Sequence, residues 1–411
     1  MKILRFAHAF EAVGGVERYL NDLDNELINK YEIEISRLYM SNTTDKIQKI
    51  KGISGSLSLV PVAFVDGNSV HDSKRNPFNI AKKALVYLLY GKLVGNGIAL
   101  KISRNAAPQE GIIEDRISKY ISDLNPDLLV FHYIGGLDTM ELRKIARNLA
   151  IPFAITNHFA NDRLANLSQK TQVFGSCGVS GVSDKDVPQK IKDRFFNVAD
   201  GIDTEFYKRN KNRDNQYVNI FLPARFSPTK GQMELLELVI ELMNLNIDLR
   251  LTFAGRIDDK DYHESIKKKI LTMRYPANVR LMGELDREGI KNEFENTDLL
   301  LFPTYHHEGM PRILIEAQSM EIPVITYDIG GTATGLINDK TGFVIPSGNK
   351  EMFKEKSIGL IKDKKKRETF GKTGRKFVVE NFSIKSLAER HMKFYTICIN
   401  NAKNKNLVTY Y

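Results

Sequence analysis

Short aliphatic runs recur along this chain, and most lead into a longer stretch whose apolar residues repeat with the helical period. In the first half the runs are 3–7, 33–39, 127–132, 153–156 and 177–180, with helical patterns at 16–29, 112–122 and 140–149. After residue 200 the series restarts at 218–223, 249–254, 279–282, 298–302, 324–327 and 343–345. These runs are continuously apolar rather than alternating. Such strands are covered on both faces, the condition of a parallel sheet with helical crossovers on either side. A chain of 411 residues exceeds what one core accommodates. The pattern therefore predicts an α/β chain of two doubly wound, Rossmann-like domains facing each other across a cleft. The first is expected over 1–197 and the second over 198–383, with a hinge near 197–207. A final helical stretch at 384–400 follows the second series and is expected to pack back on the first domain, with the tail to 411.

Composition excludes several classes. Cys177 and Cys398 are the two cysteines and lie far apart, which suggests neither a disulfide framework nor a zinc cluster. The opening Met1-Lys2-Ile3-Leu4-Arg5-Phe6 reads as a strand without a signal-peptide core, and the longest apolar run, 84–90, is too short to span a membrane. A cytoplasmic location is expected. Sixty Lys and Arg against fifty Asp and Glu give a formal charge of +10, which favours anionic partners. The cations are scattered and no nucleic-acid module accompanies them, so nucleic acid is not expected as a partner. Lys82, Lys83 and Lys92 flank the apolar run as a helix lying on an anionic membrane surface would require, and burial in the first domain's core explains the same pattern.

Ligands of doubly wound sheets gather at the carboxyl ends of strands, and that rule sorts the candidate residues. Glu308 lies in the loop after the run 298–302. Gly309 and Pro311 favour a turn and a first helical position, and Glu316 is expected about two turns into the helix that follows. Unpaired N–H groups at that helix start, near Gly309 and Met310, would attract a phosphate, while two carboxylates accept sugar or ribose hydroxyls. A solvated glutamate beside an ordinary helix is the plainer reading. Arg225 and Lys230 follow the run 218–223, where a guanidinium fork and an ammonium could hold a diphosphate or stand as surface cations. Gly14 and Gly15 follow the first strand and allow close backbone approach or a tight turn. His132 and His158 each end a strand, placed to hydrogen-bond a hydroxyl, to act as acid or base, or simply to pack. His306-His307-Glu308 lacks the i, i+4 spacing of a helical zinc site, so no metal is expected.

Taken together these segments resemble a family-4 glycosyltransferase of the GT-B fold over nearly the whole chain. The likeness is carried by Asp200-Gly201-Ile202-Asp203 with Phe206, Ala224-Arg225 through Lys230-Gly231, and Phe253-Ala254-Gly255. It continues in Glu308-Gly309-Met310-Pro311 with Glu316-Ala317, Ile322-Pro323-Val324, Gly330-Gly331 and Thr341-Gly342-Phe343. The first half contributes Gly14-Gly15 and Thr156-Asn157-His158. The resemblance implies a retaining, metal-independent hexosyltransferase that needs no cofactor beyond its co-substrate. The donor would be a nucleotide sugar, with UDP-sugar the expected class. The acceptor would be a glycan or lipid-linked molecule of bacterial-type cell-surface polysaccharide synthesis, met at the inner face of the membrane. It also implies roles. Glu316 would bind the ribose, and Glu308 and His158 the transferred sugar. Arg225 and Lys230 would grip the diphosphate, with the backbone of Gly309 and Met310 beside it, and Gly15 would close over the donor. Asp200 stands where the family usually has Asn, Glu321 where it has Gly, and Gly330-Gly331-Thr332-Ala333-Thr334-Gly335 lacks the usual following Glu, which leaves donor details open. A non-catalytic binding subunit and a nucleotide-sugar epimerase are the alternatives on the same plan.

Overall fold

The computed structural model describes residues 1–7, 15–40, 57–62, 118–119, 121–132, 145–157, 176–178, 195–198, 200–210, 216–306 and 309–403. Two parallel sheets organise them. The first contains β1 (Lys2–Ala7), β2 (Glu34–Met40), β3 (Leu57–Val62), β4 (Leu128–Phe131), β5 (Phe153–Asn157), β6 (Ser176–Gly178) and β7 (Phe195–Asn197), in the order β3-β2-β1-β4-β5-β6-β7. The second contains β8 (Val218–Pro223), β9 (Leu249–Ala254), β10 (Val279–Met282), β11 (Leu299–Phe302), β12 (Val324–Asp328) and β13 (Gly342–Pro346), in the order β10-β9-β8-β11-β12-β13. This is the GT-B architecture, two doubly wound α/β lobes. Each sheet reverses its winding once, between β1 and β4 in the first lobe and between β8 and β11 in the second. Those switch points open the crevices where ligands of open α/β sheets bind.

Two strands escape the sequence pattern, and both are edges. β3 carries Ser58 and Pro61, and a proline without an N–H is tolerated where one side of the strand has no partner. β7 is three residues long, too short to show a period.

The longer helices among the described residues are α1 (Gly15–Tyr31), α2 (Gln232–Asn244), α3 (Lys260–Leu271), α4 (Arg287–Asn296), α5 (Arg312–Ser319), α6 (Lys350–Lys362), α7 (Lys364–Phe382) and α8 (Ile384–Lys403). The chain passes between lobes at 198–202 and returns at 382–384, and the two crossings pair: Ile202 N–H donates to Phe382 O at 2.8 Å and Ile384 N–H to Ile202 O at 2.8 Å. From there α8 turns back onto the first lobe. Its Leu387, Phe394 and Tyr395 join Leu20, Leu23 and Leu27 of α1 and Leu128 and Val130 of β4 in one buried cluster. Each such side chain contributes roughly 1.5–3 kcal/mol on burial, so the C-terminal helix is part of the first lobe's core.

That core also contains ions. Arg5 and Arg37, both fully buried, donate from their Nε atoms to opposite oxygens of buried Asp24, each at 2.7 Å. Arg5 Nη1 reaches Tyr395 Oη on α8 at 2.9 Å and His132 Nε2 at 3.0 Å, while Arg37 donates to Asn21 Oδ1 and Leu20 O. His132 is therefore a core residue. Among the described residues no helix is long and apolar enough to cross a membrane.

Candidate functional site

At the second lobe's switch point, the loops leaving β8 and β11 are laced together. Thr229 O accepts from Tyr305 N–H at 2.7 Å, His306 N–H at 3.1 Å and Thr304 Oγ1 at 3.3 Å. Gly231 makes that approach possible. Its φ of +74° is left-handed, and a Cβ there would lie 2.1 Å from Pro303 O. A second anchor runs through Glu234, which accepts from Tyr305 Oη at 2.5 Å and from Tyr327 Oη, and lies 3.4 Å from Lys350 Nζ. Burial, and next the bond to Glu234, pushes the Tyr305 hydroxyl up to about 12. The loop that leads to residue 308 is thus fixed to α2 and to the loop of Arg225 and Lys230.

Lys230 ends the short turn Pro228–Lys230 and is 7% exposed, with its ammonium 5.9 Å from the Phe302 ring centroid. Arg225 is half exposed and donates to Asp258 Oδ2 at 2.6 Å, and Arg256 Nε holds Asp258 Oδ1 at 2.8 Å. The hydrogen bond from Arg256, with help from Arg225, holds the Asp258 carboxyl below its ordinary range. An exposed pair of this kind is worth at most about 1 kcal/mol, so Arg225 can leave it for a stronger anion.

Helix starts divide into two groups. Asp259 caps α3 by accepting from Tyr262 N–H, Asp286 caps α4 from Gly289 N–H, Asn349 caps α6 from Met352 N–H, and Asp363 caps α7 from Lys366 N–H. The two helices that leave the switch point, α2 and α5, begin at Gly231 and Pro311 without such a cap. At α2 a neighbour takes one amide, since Met233 N–H donates to Tyr262 Oη at 2.9 Å. Uncapped helix starts leave N–H groups and positive dipole ends toward the crevice.

Pro311 differs from expectation by one position. It is the N-cap of α5, with extended φ −66° and ψ 119°, and the helix begins at Arg312. Glu316 is the fifth residue of α5, about one turn in rather than the two expected. It is 5% exposed, with Oε1 3.9 Å from Arg312 Nε. Met310 buries its side chain in the second core, with Gly335 beside it. Gly15 begins α1 in the first lobe. Glu308, His158, His307, Gly14 and the stretch 82–92 lie outside the described residues. The structure thus bonds the loop of Arg225 and Lys230 to the loop that leaves β11.

Sequence reasoning missed the charged contacts across the crevice. Asp22 of α1 accepts from Arg287 Nη1 at 3.1 Å and from Arg312 Nη2 at 3.0 Å, so the starts of α4 and α5 look onto the first lobe. Arg312 Nη1 also meets Asp200 Oδ1 at 3.4 Å. Burial, against the pull of Arg312, pushes Asp200 up to about 6. Arg312 sits four residues before Glu316, an i, i+4 spacing visible in the sequence; its partners are not.

A cavity of about 280 Å³ lies at the opposite end of the second sheet, where Asp298 and Glu321 precede β11 and β12. Two of its cations are engaged locally: Arg209 pairs with Glu321 at 3.0 Å, and Arg367 donates to Leu360 O and Ile361 O. It belongs to helix packing and not to the crevice.

Residues 203–377 match the family model described as glycosyl transferases group 1. The capsular polysaccharide biosynthesis glycosyltransferase CapM of Staphylococcus aureus is 30% identical over 188 residues, 39% of this chain and 49% of that protein. A GDP-mannose-dependent monoacylated alpha-(1-6)-phosphatidylinositol monomannoside mannosyltransferase of Corynebacterium glutamicum is 25% identical over 236 residues, 56% of this chain and 60% of that protein. The matches therefore span about half of these relatives' lengths. Among solved structures, a glycosyltransferase from Rickettsia africae superposes with a TM-score of 0.69 at 15% identity, covering 97% of this chain and 99% of that one. Anabaena Alr3699/HepE in complex with UDP and glucose gives 0.67 at 15% identity, covering 96% and 99%. At that identity the likeness establishes the fold.

Proposed function

We propose, from the match of residues 203–377 to the glycosyl transferases group 1 family, that the chain is a member of that family and transfers a sugar, with retention, from a nucleotide sugar to a glycan or lipid-linked acceptor of cell-surface polysaccharide synthesis. The observation that supports this reading is the second lobe's switch point, where the loop of Arg225 and Lys230 is hydrogen-bonded to the loop leaving β11 and α5 begins without a side-chain cap. A nucleoside diphosphate has the chemistry to fill it. Its phosphates take the N–H groups and cations, and its ribose hydroxyls donate to Glu316 one turn up the helix. UDP-sugar is the donor class we favour, since the matched Anabaena protein holds UDP.

The reaction follows from where charge develops. As the bond between sugar C1 and the diphosphate oxygen breaks, negative charge grows on the leaving phosphate. Lys230 and the peptide dipoles of α5 would stabilise it from the switch point, and Arg225 would join them by leaving its exposed pair with Asp258. We assign the reaction to these groups without a metal ion. The acceptor oxygen bonds to C1 from the same face, and its proton passes to the departing phosphate oxygen. Glu308 would hold the transferred sugar from the loop next to Gly309, and His158 would orient it from the first lobe.

Isothermal titration with UDP, GDP and ADP, followed by donor hydrolysis assays on the best-binding base, tests the reading. Binding of one diphosphate that is lost in Lys230→Ala with an unchanged melting temperature is the expected result. Undiminished binding in the Arg225→Ala/Lys230→Ala double variant would remove the diphosphate assignment.

A further inference from the structure

One guanidinium in the crevice serves three elements at once. Arg312, with a side chain 10% exposed, directs Nη2 to Asp22 of α1, Nη1 to Asp200 beside the lobe crossing, and Nε toward Glu316 on its own helix. The first two lie at 3.0 and 3.4 Å. The third stands at 3.9 Å, and Nε is buried without a hydrogen-bond partner. A buried donor left without an acceptor is costly, and a small shift of Glu316 would supply one.

Asp22 is equally committed. Its Oδ1 accepts from Arg287, which leans over the Phe206 ring at 4.1 Å, and its Oδ2 accepts from Arg312. A residue in the middle of the first lobe's α1 is therefore clasped by the starting residues of two helices of the second. Carboxylates outnumber guanidinium groups here: Asp22, Asp200, Asp203 and Glu316 surround Arg287 and Arg312. Without Arg312, acidic groups of the two lobes would face each other. The departure at Asp200 also acquires a reason, since a carboxylate there meets Arg312.

We propose that Arg312 is a positioning residue that couples the spacing of the lobes to the orientation of Glu316, so that holding α1 and holding the donor's ribose are parts of one arrangement. This rests on the donor reading above. A small shift would let Arg312 Nε hold Glu316 Oε1, now 3.9 Å away, while the ribose hydroxyls donate to the carboxylate. The role needs the planar fork, because each nitrogen has its own acceptor in a different direction. Lysine keeps the charge and loses the geometry.

Four variants of the full chain test it: Asp22→Asn, Arg312→Lys, Arg312→Gln and the Asp22→Asn/Arg312→Gln pair. Solution scattering measures lobe spacing, titration with UDP and GDP measures nucleotide affinity, and melting curves show that each variant is folded. Asp22→Asn and Arg312→Lys are each expected to enlarge the radius of gyration and to weaken the bound diphosphate about tenfold, the size of an ordinary coupling between sites. The double variant is expected to be no weaker than Arg312→Gln, since both changes break the same contact. Asp22 is given no contact with the donor, so wild-type spacing and affinity in Asp22→Asn would overturn the proposal, as would strictly additive losses in the pair. If the unmodified chain binds neither UDP nor GDP, the donor reading fails by itself, and scattering still decides whether Asp22 and Arg312 set the spacing.

Discussion

The two lobes share one winding plan and spend their charged residues differently. The first buries Arg5, Arg37 and Asp24 between β1, β2 and α1, and uses Tyr395 to bind α8 into the same network. The second has an apolar core, from Phe221 and Leu236 through Leu300 to Phe353, and sets exposed Arg225 with buried Lys230 and Glu316 at its switch point. Ions inside a core hold elements in a fixed relation and are lost only with the fold. Ions at a rim stay available to a ligand. The lesson is that a charged residue's place relative to the strand ends, more than its type, separates structure from chemistry in this molecule.

The sharpest way to break that comparison is at Asp24. Asp24→Ala leaves two buried guanidinium groups without their carboxylate, and stability should fall by about 3–5 kcal/mol or more. Urea unfolding would read it, and a change under 1 kcal/mol would mean the ions are solvated. The rim should respond in the opposite sense. Arg225→Ala and Lys230→Ala should each lower turnover by about 10²–10³-fold, as losing a donor to a developing oxyanion does, with melting temperatures near the wild type's.

Asp200 lies between the two extremes. Its carboxyl is raised above the ordinary value to about 6, so ionising it opposes folding. That penalty is absent below pH 4, grows as pH rises through the folded value, and is complete above it. Asp200→Asn should therefore gain stability over the wild type as pH goes from 4 to 8, by at most about 3 kcal/mol for a shift of this size. Denaturant midpoints at the two pH values check it, and a gap that narrows toward pH 8 contradicts the sign. Asp258→Asn should do least. It releases exposed Arg225 and Arg256, and stability should move by less than about 1 kcal/mol in the same unfolding measurement.

The strands were legible because parallel strands covered on both faces must be continuously apolar. β8, β9 and β10 run over the residues the pattern marks. β3 and β7 were not, since edges tolerate Ser, Pro and shortness. Arg225 and Lys230 were legible as site candidates, because the rule about carboxyl ends needs only strand order in the chain. The start of α5 was legible to one residue, limited by how far extended backbone continued through Pro311.

By itself the sequence determined two α/β series, the loops where ligand chemistry gathers and the residue types offered there, since hydrophobic period and turn chemistry are local. Only the tertiary structure decided which charges meet. Asp24 joins Arg5 and Arg37 in the core, Asp22 reaches Arg312 across the crevice, and His132 becomes packing while Lys230 lines the crevice. The reason is physical: a charge is worth little until its depth and distance to its partner are fixed, and both depend on how distant segments fold together.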